Sequence, residues 1–224
     1  LFVLTYLVGL DYTSNNTIFG TQYQYTPKVN VPLVCDMSSD IFSKEFNANE
    51  FSLIYAGAQK NMGPAGATLY IIDKEMLGKT GRKLPTYLDL ASHISKDSMA
   101  NTPPVFSVYA SMLMLRWIKE NGGLKGMEIH NRAKQELFYA ELDRNGMFHG
   151  HSVLDSRSWM NPTFRLNNDE HSATFDAMWK EAGISGIAGH RSVGGYRASM
   201  YNALPLESVQ VLVDVMKEFE RKNG

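Results

Sequence analysis

The chain has 224 residues, 44% of them hydrophobic and 20% charged, with a formal net charge of −1. These values describe an ordinary globular chain, long enough for one large or two small domains, and they supply no global field for nucleic acid or an anionic membrane. Cys35, the single cysteine, cannot form an internal disulfide, which favours a reducing, cytoplasmic compartment.

The opening LFVLTYLVGL is apolar but too short to span a bilayer, and Asp11 follows it. It lacks the basic leader and small-residue cleavage site of a signal peptide, so it reads as a buried strand or helix at the start of a fragment. VPLVCD (31–36), FSLIYAGA (51–58) and ATLYIID (67–73) read as buried strands. Such runs, separated by polar loops, predict an α/β sheet covered on both faces. Sites in these sheets lie beyond the carboxyl ends of the strands, which brings Asp36 and Lys60 toward one crevice.

ANTPPVFSVYASMLMLRWIKENGG (100–123) contains a helix opened by Pro103 and Pro104 and ended by Gly122 and Gly123. Its apolar residues cover nearly every side, which predicts burial. A more polar helix is expected over about 124–144. PTFRLN (162–167) and GYRASMYNA (195–203) read as strands, and SATFDAMWKEAG (172–183) as a helix. A last helix begins at Pro205 and carries Val209, Leu212, Val213, Met216 and Phe219 on one face. The alternation predicts a large domain over 1–124 and a smaller α+β domain over 125–224.

Three short motifs fail on their chemistry. GKT (78–80) lacks the earlier glycine of a phosphate-binding loop, because position 73 is Asp73. HGH (149–151) has no cysteine or acid nearby to complete a metal site, so no metal is expected. Asn15-Asn16-Thr17 matches the glycosylation pattern only incidentally.

AGAQKNMGPAG (56–66) sets Lys60 among small residues, where a backbone can approach a ligand closely. Desolvation there lowers a lysine pKa and frees the amine as nucleophile or base. An acid at the end of a buried strand, Asp36, could hold a pyridine nitrogen protonated. A lysine after a strand is also an ordinary structural residue, and both readings stay open on these residues alone. GHRSVGGYRAS (189–199) adds His190, Arg191 and Arg197, whose planar guanidinium groups suit carboxylates and phosphates. Two surface arginines and a half-buried histidine would be the plainer account. An inward Arg197 would need an anion, and the pair would suit a substrate with two separated anionic groups.

AGAQKNMGPAG, the NTPP at 101–104 and GHRSVGGYRASMYNALPLESV together closely resemble the phosphoserine aminotransferases, class V members of the fold-type I pyridoxal-phosphate enzymes. The resemblance runs from about Tyr12 onward and matches that family's central and carboxyl-terminal parts. It implies a partial aspartate-aminotransferase-like large domain, a smaller α+β domain and pyridoxal 5'-phosphate as cofactor. Lys60 is similar to the family's Schiff-base lysine and Asp36 to the partner of the pyridine nitrogen. Thr17 and Gln59 resemble cofactor ligands. Asn101 and Thr102 resemble the pair that reaches the neighbouring subunit's cofactor phosphate, which implies a homodimer with shared active sites. His190, Arg191 and Arg197 resemble the substrate anchors. The implied reaction moves an amino group between glutamate and 3-phosphohydroxypyruvate, giving 2-oxoglutarate and phosphoserine. The phosphohydroxythreonine step of pyridoxine synthesis is a related expectation.

Two rivals remain at this level. Another fold-type I enzyme is one, although Cys35 sits on a presumed strand rather than on the mobile loop a desulfurase needs. A non-catalytic fragment is the other, distinguished by its failure to take up cofactor. The small-residue setting of Lys60 also predicts that a bulky residue at Gly57 or Gly66 pushes the cofactor away.

Overall fold

The structure, a computed structural model, describes residues 9–79 and 81–224. Strand β1 (Leu10–Thr13) opens it, so most of LFVLTYLVGL lies outside the described residues. A small antiparallel pair follows, β2 (Asn15–Asn16) and β3 (Thr21–Gln22). Then come β4 (Leu33–Asp36), β5 (Leu53–Gly57) and β6 (Thr68–Ile72). Strands β1, β4 and β5 are parallel neighbours, and β6 runs antiparallel at the edge. Thr13 pairs with Asp36 and Asp36 with Tyr55, so three strands end their parallel run side by side.

The apolar runs at 31–36 and 51–58 form strands as their residue types predict, but they alternate in burial. Leu33, Cys35, Ile54 and Ala56 point into a core with Met37, Ile41, Phe51 and Met62, while Val34 and Tyr55 are only half-buried. Among the described residues one face of the sheet is therefore sealed, not both. The antiparallel edge strand β6 is open as well, with Tyr70 half-exposed.

A short helix α1 (Leu90–Ile94) precedes the long helices α2 (Val105–Glu120) and α3 (Gly123–Arg144). Buried Met127, Asn131, Lys134, Phe138, Glu141 and Leu142 recur at helical spacing and define the inward face of α3. Strands β7 (Phe148–Gly150), β8 (Thr163–Leu166) and β9 (Tyr196–Arg197) make an antiparallel sheet with α4 (Ser172–Glu181) and α5 (Leu206–Asn223). GYRASMYNA thus contributes two strand residues, not nine. Beyond Arg197 the chain is held by single backbone bonds, Ala198 N to Pro162 O and Met200 N to Met160 O.

This half has its own core. Phe148 meets Phe175 at 5.0 Å between ring centroids, and Phe175 meets Tyr196 at 4.9 Å, both edge-on. Edge-to-face pairs add about 0.5–1.5 kcal/mol each beyond area burial. The predicted face of α5 packs here, with Val209, Leu212, Met216 and Phe219 all buried.

Helix α2 departs from its expectation. Only Ser107 and Ile118 are buried along it, while Phe106 is 74% exposed and Val105 69%, with Val108, Tyr109, Leu113 and Leu115 also exposed. Among the described residues the helix rests on α3 and on the 63–66 loop, and most of its circumference is exposed.

Candidate active site

The parallel register delivers three segments to one end of the sheet. Ser14–Thr17 follow β1, Asp36–Asp40 end and follow β4, and Gly57–Asn61 end and follow β5. Ser38 Oγ accepts the Gly57 amide at 3.1 Å, and Asp36 Oδ1 accepts the Ser38 amide at 2.8 Å. These bonds tie the turn after Asp36 to the strand that leads into Lys60. Burial draws the Lys60 amine below the ordinary lysine range, the Asp36 carboxylate opposes that, Arg197 adds to it and Asp40 opposes it. Lys60 therefore lies in the combined field of two acids and an arginine.

Arg197 reaches this place from β9, on the other core. Its Nη1 donates to the carbonyl of Thr17 at 2.8 Å across 180 residues of sequence, while its buried Nε has no partner among the described residues. Lys60, Asp36, Thr17 and Arg197 thus meet where the two halves join. Gln59, exposed, stands directly before the lysine. Asn101 and Thr102 are exposed ahead of α2, with Asn101 Nδ2 donating to the Thr102 carbonyl at 3.0 Å. Among the described residues no hydrogen bond links that pair to Lys60, Asp36 or Arg197.

His190 and Arg191 occupy a tight loop beside β9. The Gly189 amide donates to the Gly195 carbonyl at 2.8 Å, and a Cβ at Gly189 would sit 2.1 Å from the Gly194 carbonyl oxygen. His190 Nδ1 is 2.7 Å from Ser192 Oγ, and Arg191 is exposed. The glycines of this motif close the loop that carries the two side chains.

The small residues around Lys60 divide into two groups. A Cβ on Gly57 would lie 2.5 Å from Gln59 Oε1, on the exposed side chain directly before Lys60. Gly66 does something else: φ there is +120°, and a Cβ would lie 2.7 Å from Ser107 Oγ. Ser107 Oγ donates to the Ala65 carbonyl at 2.7 Å, so this glycine lets the loop press on α2. The expectation that Gly66 admits a ligand is corrected on this point, because the close neighbour is a helix.

Several polar residues at the junction carried no sequence expectation. Asp40 is 8% exposed, and its carboxylate accepts Gln22 Nε2 at 3.1 Å and Ser14 Oγ. Burial pushes its pKa up to about 6, against the hydrogen bonds from Ser14 and Gln22. Fully buried Asn161 accepts Asn15 Nδ2 at 2.9 Å and donates to Tyr201 Oη at 3.1 Å. Asn61, which the sequence does offer as a polar partner beside Lys60, is turned inward instead: its Oδ1 accepts the Asn202 amide at 3.0 Å and its Nδ2 donates to the Ile41 carbonyl at 3.1 Å. For the others, an acid four residues beyond Asp36, in DMSSD, was the one available signal; lone asparagines in loops give none.

The donor set fits a pyridoxal-phosphate-type ligand. It offers a desolvated amine, a carboxylate at a strand end and a buried, unpartnered guanidinium nitrogen for an anion. A side chain at Gly57 would collide with the Gln59 side chain that stands beside Lys60.

A lysine and an acid at the carboxyl ends of parallel strands, faced by an arginine from a second α+β core, are the arrangement of the fold-type I α/β fold. The profile described as aminotransferase class-V matches residues 10–212, and the chain belongs to that family. It is 64% identical over 210 residues to the phosphoserine aminotransferase of Flavobacterium johnsoniae, covering 94% of this chain and 59% of that protein. The solved phosphoserine aminotransferase from Bacillus circulans subsp. alkalophilus superposes with a TM-score of 0.91 at 45% identity, over 96% of this chain and 60% of that one. The PLP-bound phosphoserine aminotransferase from Trichomonas vaginalis gives a TM-score of 0.86 at 35% identity, over 92% and 59%. The chain spans about 60% of the length of these relatives.

Proposed function

We propose that this chain carries the lysine-bearing part of a pyridoxal-phosphate-dependent transaminase that moves an amino group between L-glutamate and 3-phosphohydroxypyruvate. The observation that carries the reading is the junction itself: Lys60 lies in the field of Asp36 and Arg197, and Arg197 keeps a buried donor free. Similarity to phosphoserine aminotransferases supports the substrate pair. Phosphohydroxythreonine, with the same distal phosphate, is a second acceptable amino donor in this reading.

Pyridoxal phosphate, when bound, supplies an aldehyde for amine exchange and a ring that withdraws electrons from the substrate's α-carbon. Lys60 Nζ, freed by desolvation, would hold the aldehyde carbon and move the proton at the substrate α-carbon. The Asp36 carboxylate would hold the ring nitrogen. Thr17 and Gln59 would bind cofactor oxygens. Arg197 would take the α-carboxylate, and His190 with Arg191 the distal carboxylate or phosphate. Both substrates carry two separated anions, so one set of anchors serves both directions.

The two separate apolar cores support a large unit through residue 124 and a smaller one from 125. Homodimerisation is supported by α2, whose exposed Phe106, Tyr109 and Leu113 lie just beyond exposed Asn101 and Thr102. A second copy would cover that face and receive the Asn101–Thr102 pair at its own site. The buried, unpaired Cys35 supports a cytoplasmic setting. Among the described residues no helix is long and apolar enough to cross a membrane.

The test is incubation with pyridoxal phosphate, borohydride reduction and mass spectrometry, followed by assay with glutamate and 3-phosphohydroxypyruvate. A stoichiometric adduct on the Lys60 peptide with turnover is the expected result. Labelling scattered over many lysines would overturn the reading and favour a non-catalytic chain. An adduct with turnover only on substrates lacking a distal phosphate would favour another class V aminotransferase.

A further inference from the structure

We infer that Asp40 is a positioning residue for Asp36, acting through the hydroxyl and amide of Ser14. The inference rests on the proposed cofactor reading and extends it to a residue outside the ligand-binding set.

Strand β4 ends at Asp36 and the chain turns at once, with the Ile41 amide bonded to the Met37 carbonyl at 2.8 Å. That turn folds Asp40 back under the strand end. Ser14, on the neighbouring strand's continuation and 6% exposed, touches both ends of the turn. Its amide donates to the Asp36 carbonyl at 3.0 Å, its Oγ lies 3.1 Å from that same carbonyl, and its Oγ also bonds Asp40 Oδ1. A hydroxyl has one proton to give. An ionised Asp40 claims that proton, fixes the Ser14 rotamer and leaves the Ser14 amide to hold the Asp36 carbonyl. Charge-assisted bonds of this kind are roughly twice as strong as neutral ones.

The other carboxylate oxygen is fixed from the opposite side. Gln22 Nε2 donates to Asp40 Oδ2 at 3.1 Å, and Gln22 Oε1 accepts the Trp159 amide at 3.0 Å. Asp40 therefore couples the strand end to the segment that enters the second core. The charged or titratable groups that face it are Lys44, Asp36, Lys60, Tyr12 and Cys35. Lys44 is the cation that offsets its burial. Both oxygens are engaged within the protein, so Asp40 neither holds the substrate nor moves its proton. A buried carboxylate is a costly way to fill space, since a neutral residue needs no desolvation. What it adds here is a fixed strand end, and Asp36 Oδ1, already bonded to the Ser38 amide, keeps its aim only while that strand end is held.

The experiment compares Asp40→Asn, Ser14→Ala and wild type in the full chain, with folding checked by circular dichroism. Two ligands are titrated: pyridoxal 5'-phosphate, and its analogue with the ring nitrogen replaced by C–H. Because Asp36 acts on that nitrogen, both variants should weaken pyridoxal phosphate by about tenfold, the lower end of what losing an outer partner costs at metal sites. The analogue should weaken far less, since it has no ring nitrogen for Asp36 to hold. In parallel, hydrogen exchange at the Ser14 amide should accelerate in Asp40→Asn. Equal losses for both ligands, or no loss, with unchanged Ser14 exchange would overturn the inference. Failure of the cofactor reading looks different, because wild type itself would then take up neither ligand at Lys60. The Ser14 exchange arm would still decide whether Asp40 holds the strand end.

Discussion

The junction around Lys60 and the aromatic core between α3, α4 and α5 are both buried, yet they are built on opposite terms. In the aromatic core, Phe138, Phe164, Phe175 and Phe219 are fully inaccessible and packed ring against ring. At the junction, a half-buried amine is drawn from its ordinary ionisation and a buried guanidinium nitrogen is left unpartnered. The first region is held by ring contact. The second keeps polar capacity in reserve, a cost to the empty protein that a bound ligand would offset.

Single substitutions should separate the two regions. Lys60→Ala is expected to reduce transamination by about 10⁴-fold, the upper range for losing a proton-transfer group and equivalent to about 5 kcal/mol. Stability should change by less than about 0.5 kcal/mol, the usual range for sites outside the packed core. Single-turnover kinetics and urea melts on one preparation check this, and a large loss of stability would make Lys60 a structural lysine after all. Phe164→Ala is the converse case. Removing a fully buried ring that stacks on Tyr196 should cost about 3–5 kcal/mol of stability. The fraction that stays folded should keep wild-type kcat, so a fall in kcat per folded molecule would show that the two regions are coupled.

The same contrast explains what was legible in the sequence. Helix α5 and strands β4 and β5 follow from apolar spacing because each buries one face against its own chain. Spacing alone misjudged α2, since periodicity reports that a face needs a partner without saying which chain provides it. It also hid the buried face of α3, where Asn131 and Lys134 are fully inaccessible and read as surface residues. Within the site, Asp36 and Lys60 were legible because each follows an apolar run at the sheet's carboxyl end. The Arg197–Thr17 bond was not, because it joins residues 180 apart and depends on how two cores dock. The buried asparagines escaped for the same reason: their partners, side chain and backbone alike, are brought together only by folding.

Lys134 tests the boundary between the two regions, and its effect should be the smallest of the three. Its amine is fully buried and donates to the carbonyls of Met200 at 3.0 Å and Tyr201 at 2.8 Å, with no ion pair to a carboxylate among the described residues. Burial pulls its pKa down to about 7 from 10.5. Between those two values the unfolded chain binds the proton more readily than the folded chain does. The contribution of Lys134 to stability must therefore rise with pH through that window and level off above it. In Lys134→Met the rise should vanish, because no group remains to titrate. The two carbonyls then lose their donor, which should leave the variant about 1–3 kcal/mol less stable than wild type near pH 10. Near pH 6 the gap should narrow or reverse, since wild type there carries a desolvated ammonium that the thioether replaces. Urea melts of both proteins between pH 6 and 10 read the difference directly. Parallel pH profiles would mean that Lys134 keeps its proton throughout. The segment leading from Arg197 would then rest on a permanent buried charge, and the junction's reserve of polar capacity would extend one layer deeper into the second core.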